Sequence, residues 1–348
     1  MMNKIINGFL FMAVVLCVTL VSCKNTIMEK WWDTSSESAI TTGPTQLYVN
    51  GVLKMEAKLS DIFAWIKSNI ANNTYYTIRV GSDASLSPDE GRLHYPGNTG
   101  ANISLAGIKA DRTITITNSV RGSLFDVGDN VTFVLGENIT LKGHSGNNKA
   151  LVMVSSGGTM IMKDSAKIVG NTNKYEKVPW AAGGEREPEA ANGGGICVIG
   201  GNFIMYGGAI YNNKTNLNGA GIILFNSTGI MNGGKIYQNE ATYDGGGINV
   251  SSSSFIMRGG EIYANKAGWG GGVRVNINNS RYYFRKEPPE GSLVSGIIYG
   301  SDAGNNLANK ALTYGNAVAQ YGTFAAKRDR TLYEKDTIST ANRNVGWE

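Results

Sequence analysis

Few residues in this chain are of a type and spacing that could carry covalent chemistry. Between Gly193 and Val275 the only carboxylates are Glu240, Asp244 and Glu261, and none falls in a recurring acidic position. A calcium site wants roughly six to eight oxygen ligands, several of them carboxylates, which this stretch does not supply. Its glycine runs lack the aspartate of a calcium-binding nonapeptide and the Gly-Lys-Ser/Thr of a phosphate loop. His94 and His144 both stand in loop-like sequence, where a solvated imidazole is the expected state. Cys197 has no histidine near it in sequence. Asp126, Asp129 and Asp164 leave room for a catalytic site nearer the N-terminus. The sequence names no catalytic residue, no metal ligands and no cofactor.

Two other residue types do recur. Tyr211, Tyr237 and Tyr263 are spaced by 26 residues, and each is followed two positions later by an asparagine, Asn213, Asn239 and Asn265. Both columns belong to a longer repeat. Gly193-Gly194-Gly195-Ile196, Gly219-Ala220-Gly221-Ile222 and Gly245-Gly246-Gly247-Ile248 follow the same 26-residue step, and Gly270-Gly271-Gly272-Val273 comes after 25. Phe203-Ile204-Met205, Gly229-Ile230-Met231 and Phe255-Ile256-Met257 lie between them. Each unit therefore holds three short apolar pieces separated by Gly, Asn and Ser, of lengths that suit strands rather than helices.

Three short strands per unit make a triangular coil, and stacked coils place equivalent residues ~4.8 Å apart as parallel neighbours. The predicted fold is all-β, a parallel β-helix of about eight coils with an N-terminal α-helical cap. Alternation points Ile196, Val198, Phe203, Met205 and Ile210 inward. It points Cys197 outward with Ile223, Asn249 and Arg274, a mixture that reads as a solvent face. Asn213, Asn239 and Asn265 should form a structural amide ladder at one corner. Tyr211, Tyr237 and Tyr263, extended by Tyr299, should form an outward column. That column either stiffens the sheet or serves as a flat strip for ligands. Lys235 and Glu261 should be cross-coil neighbours.

Weaker coils precede the clear ones, in Arg112–Thr117, Asn130–Leu135 and Met160–Met162. Lys174–Asn192 and Arg281–Ser292 read as loops extruded from the stack. Leu59 to Asn72 has helical periodicity, with Ser60 and Asp61 as N-cap candidates, and with the following Tyr75–Val80 it would cover the open end of the coils. The predicted segments are 1–22 signal peptide, 23–55 tether, 56–110 N-terminal cap, 111–303 parallel β-helix and 304–348 C-terminal cap or tail.

Composition agrees with this reading and removes others. Glycine supplies 46 of 348 residues and proline only 7, which rules out collagen and argues against a helical bundle. A formal charge of +5 with no basic block makes nucleic acid a poor partner. Cys17 and Cys23 fall in the N-terminal segment, so the mature chain has no disulfide framework. Met1–Lys4 and the apolar run from Ile5 to Leu20 have the form of a secretory signal peptide. Its end, Leu20-Val21-Ser22-Cys23, resembles the bacterial lipobox, which implies a lipid on Cys23 as membrane anchor. Trp31-Trp32 in the tether suit either the bilayer interface or docking on the domain.

From about residue 110 to 300 the chain resembles bacterial right-handed parallel β-helix proteins of the pectate-lyase-like superfamily. Its glycine signatures are similar to those of the polymorphic outer membrane proteins. Gly207-Gly208-Ala209-Ile210 matches their Gly-Gly-Ala-Ile, and Ile210-x-x-Asn213, Ile236-x-x-Asn239 and Ile262-x-x-Asn265 match Phe-x-x-Asn with Ile for Phe. Autotransported members finish with a long β-barrel, whereas about fifty residues follow Tyr299 here, so the lipid would replace the barrel as anchor. The resemblance implies surface display at the bacterial cell envelope, at the outer membrane or cell surface. The leading expectation is a binding or adhesion module for glycan or protein ligands. The alternatives are a structural envelope lipoprotein and a polysaccharide lyase or hydrolase.

Overall fold

The computed structural model describes residues 43–97, 100–117, 121–128, 130–175, 191–276, 284–286, 296–299, 306–314 and 318–321. Cys23, Trp31-Trp32 and Asp129 lie outside them. The described chain is all-β with very little helix, a parallel β-solenoid of about seven turns against the expected eight. Sheet A has ten strands, sheets B and C have eight each, and a short sheet D has five. One coil runs Asn202–Met205 in A, Ala209–Tyr211 in B, Lys214–Thr215 in D and Ile222–Phe225 in C.

The 26-residue spacing becomes the register. Ile196 pairs with Ile222, Ile222 with Ile248, and Ile248 with Val273. Ile210, Ile236, Ile262 and Ile298 form a second fully buried column. Phe203 and Phe255 flank Gly229 in a third, where a Cβ on the glycine would meet the Phe255 ring at 2.7 Å. A lone coil would leave such columns half open; stacking closes them into one core.

The strands depart from the expected layout in four places. The later coils hold four strands, because the residues after the asparagine corner pair as sheet D. The parallel ladder also begins before residue 111. After the antiparallel pair β1 (Thr45–Val49) and β2 (Val52–Ala57), and helix α1 (Leu59–Asn69), strand β3 (Tyr75–Val80) pairs parallel with Asn102–Gly107. It continues past residue 303, with Lys310–Tyr314 in sheet D and Val318–Tyr321 in sheet C. Finally, Arg281–Ser292 is not wholly loop, since Phe284–Lys286 forms the next strand of sheet A. Its aromatic start pairs with Phe255, which continues the column.

Helix α1 buries Leu59, Ile62, Phe63 and Ile66 in the core, and the Phe63 ring lies 5.6 Å from that of Phe125. Its N-cap is Lys58, without a side-chain bond, rather than Ser60 or Asp61. Asp61 instead sits in the first turn, where a negative charge complements the helix dipole. Val152–Val154 and Ile196–Val198, which precede and follow the 174–192 segment, are directly paired neighbours in sheet C, and residues 176–190 of that segment lie outside the described residues.

Gly219 shows why glycine opens each unit. It sits at φ +68°, and a Cβ there would lie 2.5 Å from the Cβ of Ile223. Only glycine reaches this conformation without penalty while letting the turn press on the strand it enters.

Candidate functional site

Tyr211, Tyr237 and Tyr263 end three successive sheet B strands, in register and half-buried. Neighbouring rings stack with centroids 4.9 Å apart and planes within 1° of parallel. Tyr299 meets Tyr263 edge-on at 6.0 Å and donates its hydroxyl to Glu261 at 3.1 Å. Burial raises the phenol pKa of Tyr237, and the phenols of Tyr211 and Tyr263 add to it. The stacking matters for chemistry. Both faces of Tyr237 are taken by its neighbours, so a ligand meets ring edges and hydroxyls here, not the flat strip of ring faces that the sequence suggested.

Behind the corner, the asparagine amides form a continuous ladder. Asn213 donates through Nδ2 to Asn239 at 3.1 Å, Asn239 to Asn265 at 3.0 Å, and Asn265 to Asn309 at 3.0 Å. Each also bonds a backbone carbonyl of the preceding coil: Asn213 to Ile168, Asn239 to Ile210, Asn265 to Ile236. Earlier in the stack Asn147 donates to Asn171 at 2.9 Å, but the Asn171 amide turns to the carbonyls of Lys149 and Gly194, and only its backbone N–H reaches Asn213 Oδ1, at 3.2 Å. Sequence reasoning stopped at the three asparagines of the clear repeats. Asn309 was hidden by a gap of 44 residues from Asn265.

Charged side chains form rows beside these columns. Lys235 reaches Glu261 at 3.3 Å on sheet B. On sheet D, Glu240 sits between Lys214 and Lys266, at 3.0 Å from each. Hydrogen bonds from those two lysines hold the Glu240 carboxyl below its ordinary value. This row repeats at the 26-residue step and was legible in the sequence, but its alternating signs disguised it.

The outward column of sheet C is not a solvent face. Met153, Cys197 and Ile223 are buried and form a second apolar cluster with Ala150, flanked by Ile199 and Phe225. The glycine turn entering each strand packs on this column, so that a Cβ on Gly193 would sit 3.0 Å from the Cβ of Cys197. Asn249 and Arg274 continue the column and are also buried. Arg274 pairs with Asp244 at 3.6 Å and lies over the Trp269 ring. Burial pushes the Asp244 carboxyl up, against the lowering pull of Arg274.

Of the earlier acids, the two that are described, Asp126 and Asp164, do not converge. Asp126 bonds His94 at 3.0 Å and Ser155 at 3.4 Å, while Asp164 packs beside Gly207. His144 accepts the N–H of Gly146 in its own turn. Among the described residues no three His, Cys, Asp or Glu side chains are grouped to hold a metal ion. Among them, too, no helix is long and apolar enough to cross a membrane.

Fold and faces together define a parallel β-solenoid whose surface is built from repeated rows. No known protein family, curated protein or solved structure matches the chain.

Proposed function

We propose that this protein is a lipid-anchored module of the bacterial cell envelope that binds extended ligands, glycan or protein, through the repeated rows on its coils. The observation that supports it most is the tyrosine column. Consecutive coils present the same half-buried phenol edge, at a spacing of 4.9 Å, beside the Lys235–Glu261 pair. A row of identical hydrogen-bonding groups suits a polymer or an extended segment better than a small molecule, which would need a concave pocket. A right-handed winding, a capping role for helix α1, and a place among β-helix surface lipoproteins similar to the polymorphic outer membrane proteins belong to the same reading.

Anchoring rests on Leu20-Val21-Ser22-Cys23. Cys23→Ser should abolish lipid labelling and release or stall the protein; unchanged mass and membrane fractionation would sink the anchor. Tyr237→Ala tests the binding row. It should weaken binding to immobilised glycans or matrix proteins while leaving the unfolding midpoint close to that of the parent. Lost stability with unchanged binding would return the column to architecture.

A further inference from the structure

We propose that the tip of the β1–β2 hairpin is a shallow membrane contact, which sets the N-terminal end of the solenoid against an anionic lipid surface. The tip is the Asn50-Gly51 turn, with both residues at positive φ. Asn50 is tied to the first residue of β3. Its N–H donates to the Tyr75 carbonyl at 2.9 Å, and its Oδ1 accepts the Tyr75 N–H at 3.0 Å. Around the turn stand Val52, 70% exposed, and Leu53 and Tyr75, each 47% exposed. Strand β2 ends sheet A, so the hairpin forms one end of the stack.

The tip is apolar on both sides. Leu53 pairs with Tyr48, on the side opposite the buried Leu47, and Tyr75 leaves β3 on that same side, opposite the buried Tyr76. Val52 leaves on the other side. Such a wedge would keep one side wet on a flat protein face, whereas a layer of headgroups and upper acyl chains surrounds it. Tyrosine at that depth keeps its ring in the apolar layer and its hydroxyl in water. The register shift between Leu47 and Tyr48 bends the hairpin, which disfavours the addition of a further strand to its edge.

The charge fits a lipid surface. No carboxylate occurs from Thr45 to Met55 or from Ile62 to Ser82, and Lys54 and Lys67 in those stretches are exposed. Lys67 stands in the last turn of α1. The Tyr76 hydroxyl joins that turn to β3, donating to the Asn69 carbonyl at 3.0 Å and accepting the Ala71 N–H at 2.8 Å. Glu56, at the far end of the hairpin, accepts a bond from Gln46 at 2.6 Å. Lysines beside exposed apolar groups are drawn to anionic headgroups. A stable protein partner covers roughly 800 Å² per side, more than three side chains supply. A bilayer contact can be this small, because the lipid on Cys23 already holds the chain there. Twenty residues separate Cys23 from Gly43 and span at most ~70 Å, so the second contact is an intramolecular one.

This inference rests on the lipid-anchor part of the proposed function. The test reconstitutes the full lipidated chain in phosphatidylcholine vesicles, with and without phosphatidylglycerol, carrying an environment-sensitive dye on Leu53→Cys. Asn216→Cys, exposed on a later coil, is the control. Cys197 is buried and Cys23 is blocked by its lipid, so neither takes the dye. Dye at position 53 should shift to shorter wavelength and be quenched by spin-labelled lipid, more strongly with phosphatidylglycerol. Dye at position 216 should do neither. Val52→Asp and Lys67→Glu should each reduce the quenching at 53 while the chain still floats with the vesicles. Absence of quenching at 53 in vesicles that carry the chain overturns the contact and leaves the anchor standing. Equal quenching at 53 and 216, as from a solenoid lying flat, also overturns it. So does dye self-quenching at 53 without quenching by lipid, which would put a second copy on the tip. A chain that lacks the lipid by mass and does not float overturns the anchor and this contact together.

Discussion

Asn239→Ala removes the middle of the asparagine ladder, and its cost can be worked from the bonds it breaks. Asn239 is 1% exposed. Its Oδ1 accepts the backbone N–H and the side-chain Nδ2 of Asn213, both at 3.1 Å. Its Nδ2 donates to the Ile210 carbonyl and to Asn265 Oδ1, both at 3.0 Å. Alanine deletes all four bonds. Asn265 Oδ1 keeps the N–H of residue 239 at 3.0 Å, so its loss is partial. The Asn213 N–H and one Asn213 amide hydrogen each lose their partner in a dry corner, whereas the Ile210 carbonyl stays within the parallel ladder, as the equivalent Ile262 carbonyl does with the Tyr299 N–H.

A buried polar group left without its partner costs about 1–3 kcal/mol. Two of them, with the bonds lost at Ile210 and Asn265, give a loss of about 2–5 kcal/mol, a large share of the ~5–15 kcal/mol typical of a folded domain. Asn216→Ala is the control. Asn216 is exposed and bonds only the backbone of Tyr175, so its loss should stay within about 0.5–1 kcal/mol. Urea unfolding of the full chain, followed by far-ultraviolet circular dichroism, reads both at constant m. A loss under about 1 kcal/mol for Asn239→Ala at unchanged m would refute the claim that the ladder bears weight. Asn239→Asp adds a pH test. A buried carboxylate facing the acceptors of Ile210 and Asn265 would have its folded pKa raised above the ordinary value of about 3.9. The ionised form is then the costly one, so the defect should grow as pH rises through that range and shrink on acidification.

Three further outcomes follow from the rows and corners. Lys235→Glu should cost about 0.2–1 kcal/mol, and adding Glu261→Lys should recover it; a double mutant no better than the sum of the singles would disprove the cross-coil pair in solution. Gly219→Ala should cost about 2 kcal/mol or more, because alanine must adopt φ +68° and place its Cβ against Ile223; a thermal midpoint equal to the parent's would contradict the turn geometry. Glu240 is held below its ordinary value of 4.5, so its contribution is complete above that pH and is lost as pH falls through the lowered folded value. Glu240→Gln should therefore flatten the acid limb of the stability curve, and identical acid limbs would remove the Lys214–Glu240–Lys266 network.

Much of the architecture was legible because the repeat and the structure share one period. A coil of fixed length returns each residue to the same corner, so the 26-residue step set the partners of Ile222, Ile236 and Phe255 without three-dimensional information. Alternation then settled which residues enter the core. Where insertions broke the step the reading weakened: Asn309 and Phe284–Lys286 were missed although both continue their columns. The fourth strand escaped because Lys214-Thr215 and Glu240-Ala241 are only two residues long, too short for a periodic signal.

The sequence by itself determined the period, three of the four strands in each regular coil, the inward columns and most of the residues that stack from coil to coil, since these depend only on chain length per turn and on side-chain alternation. Only the tertiary structure decided what lies over the outward side. Cys197 and Ile223 point away from the main core and are still buried, because the glycine turn doubles back against them. The tyrosines of sheet B spend their faces on one another, whereas Trp269, at an equally repetitive position, rests on Arg274 and keeps part of its ring in water. Alternation fixes the side of the strand from which a side chain leaves. What it meets there is set by residues brought close only when the coils stack.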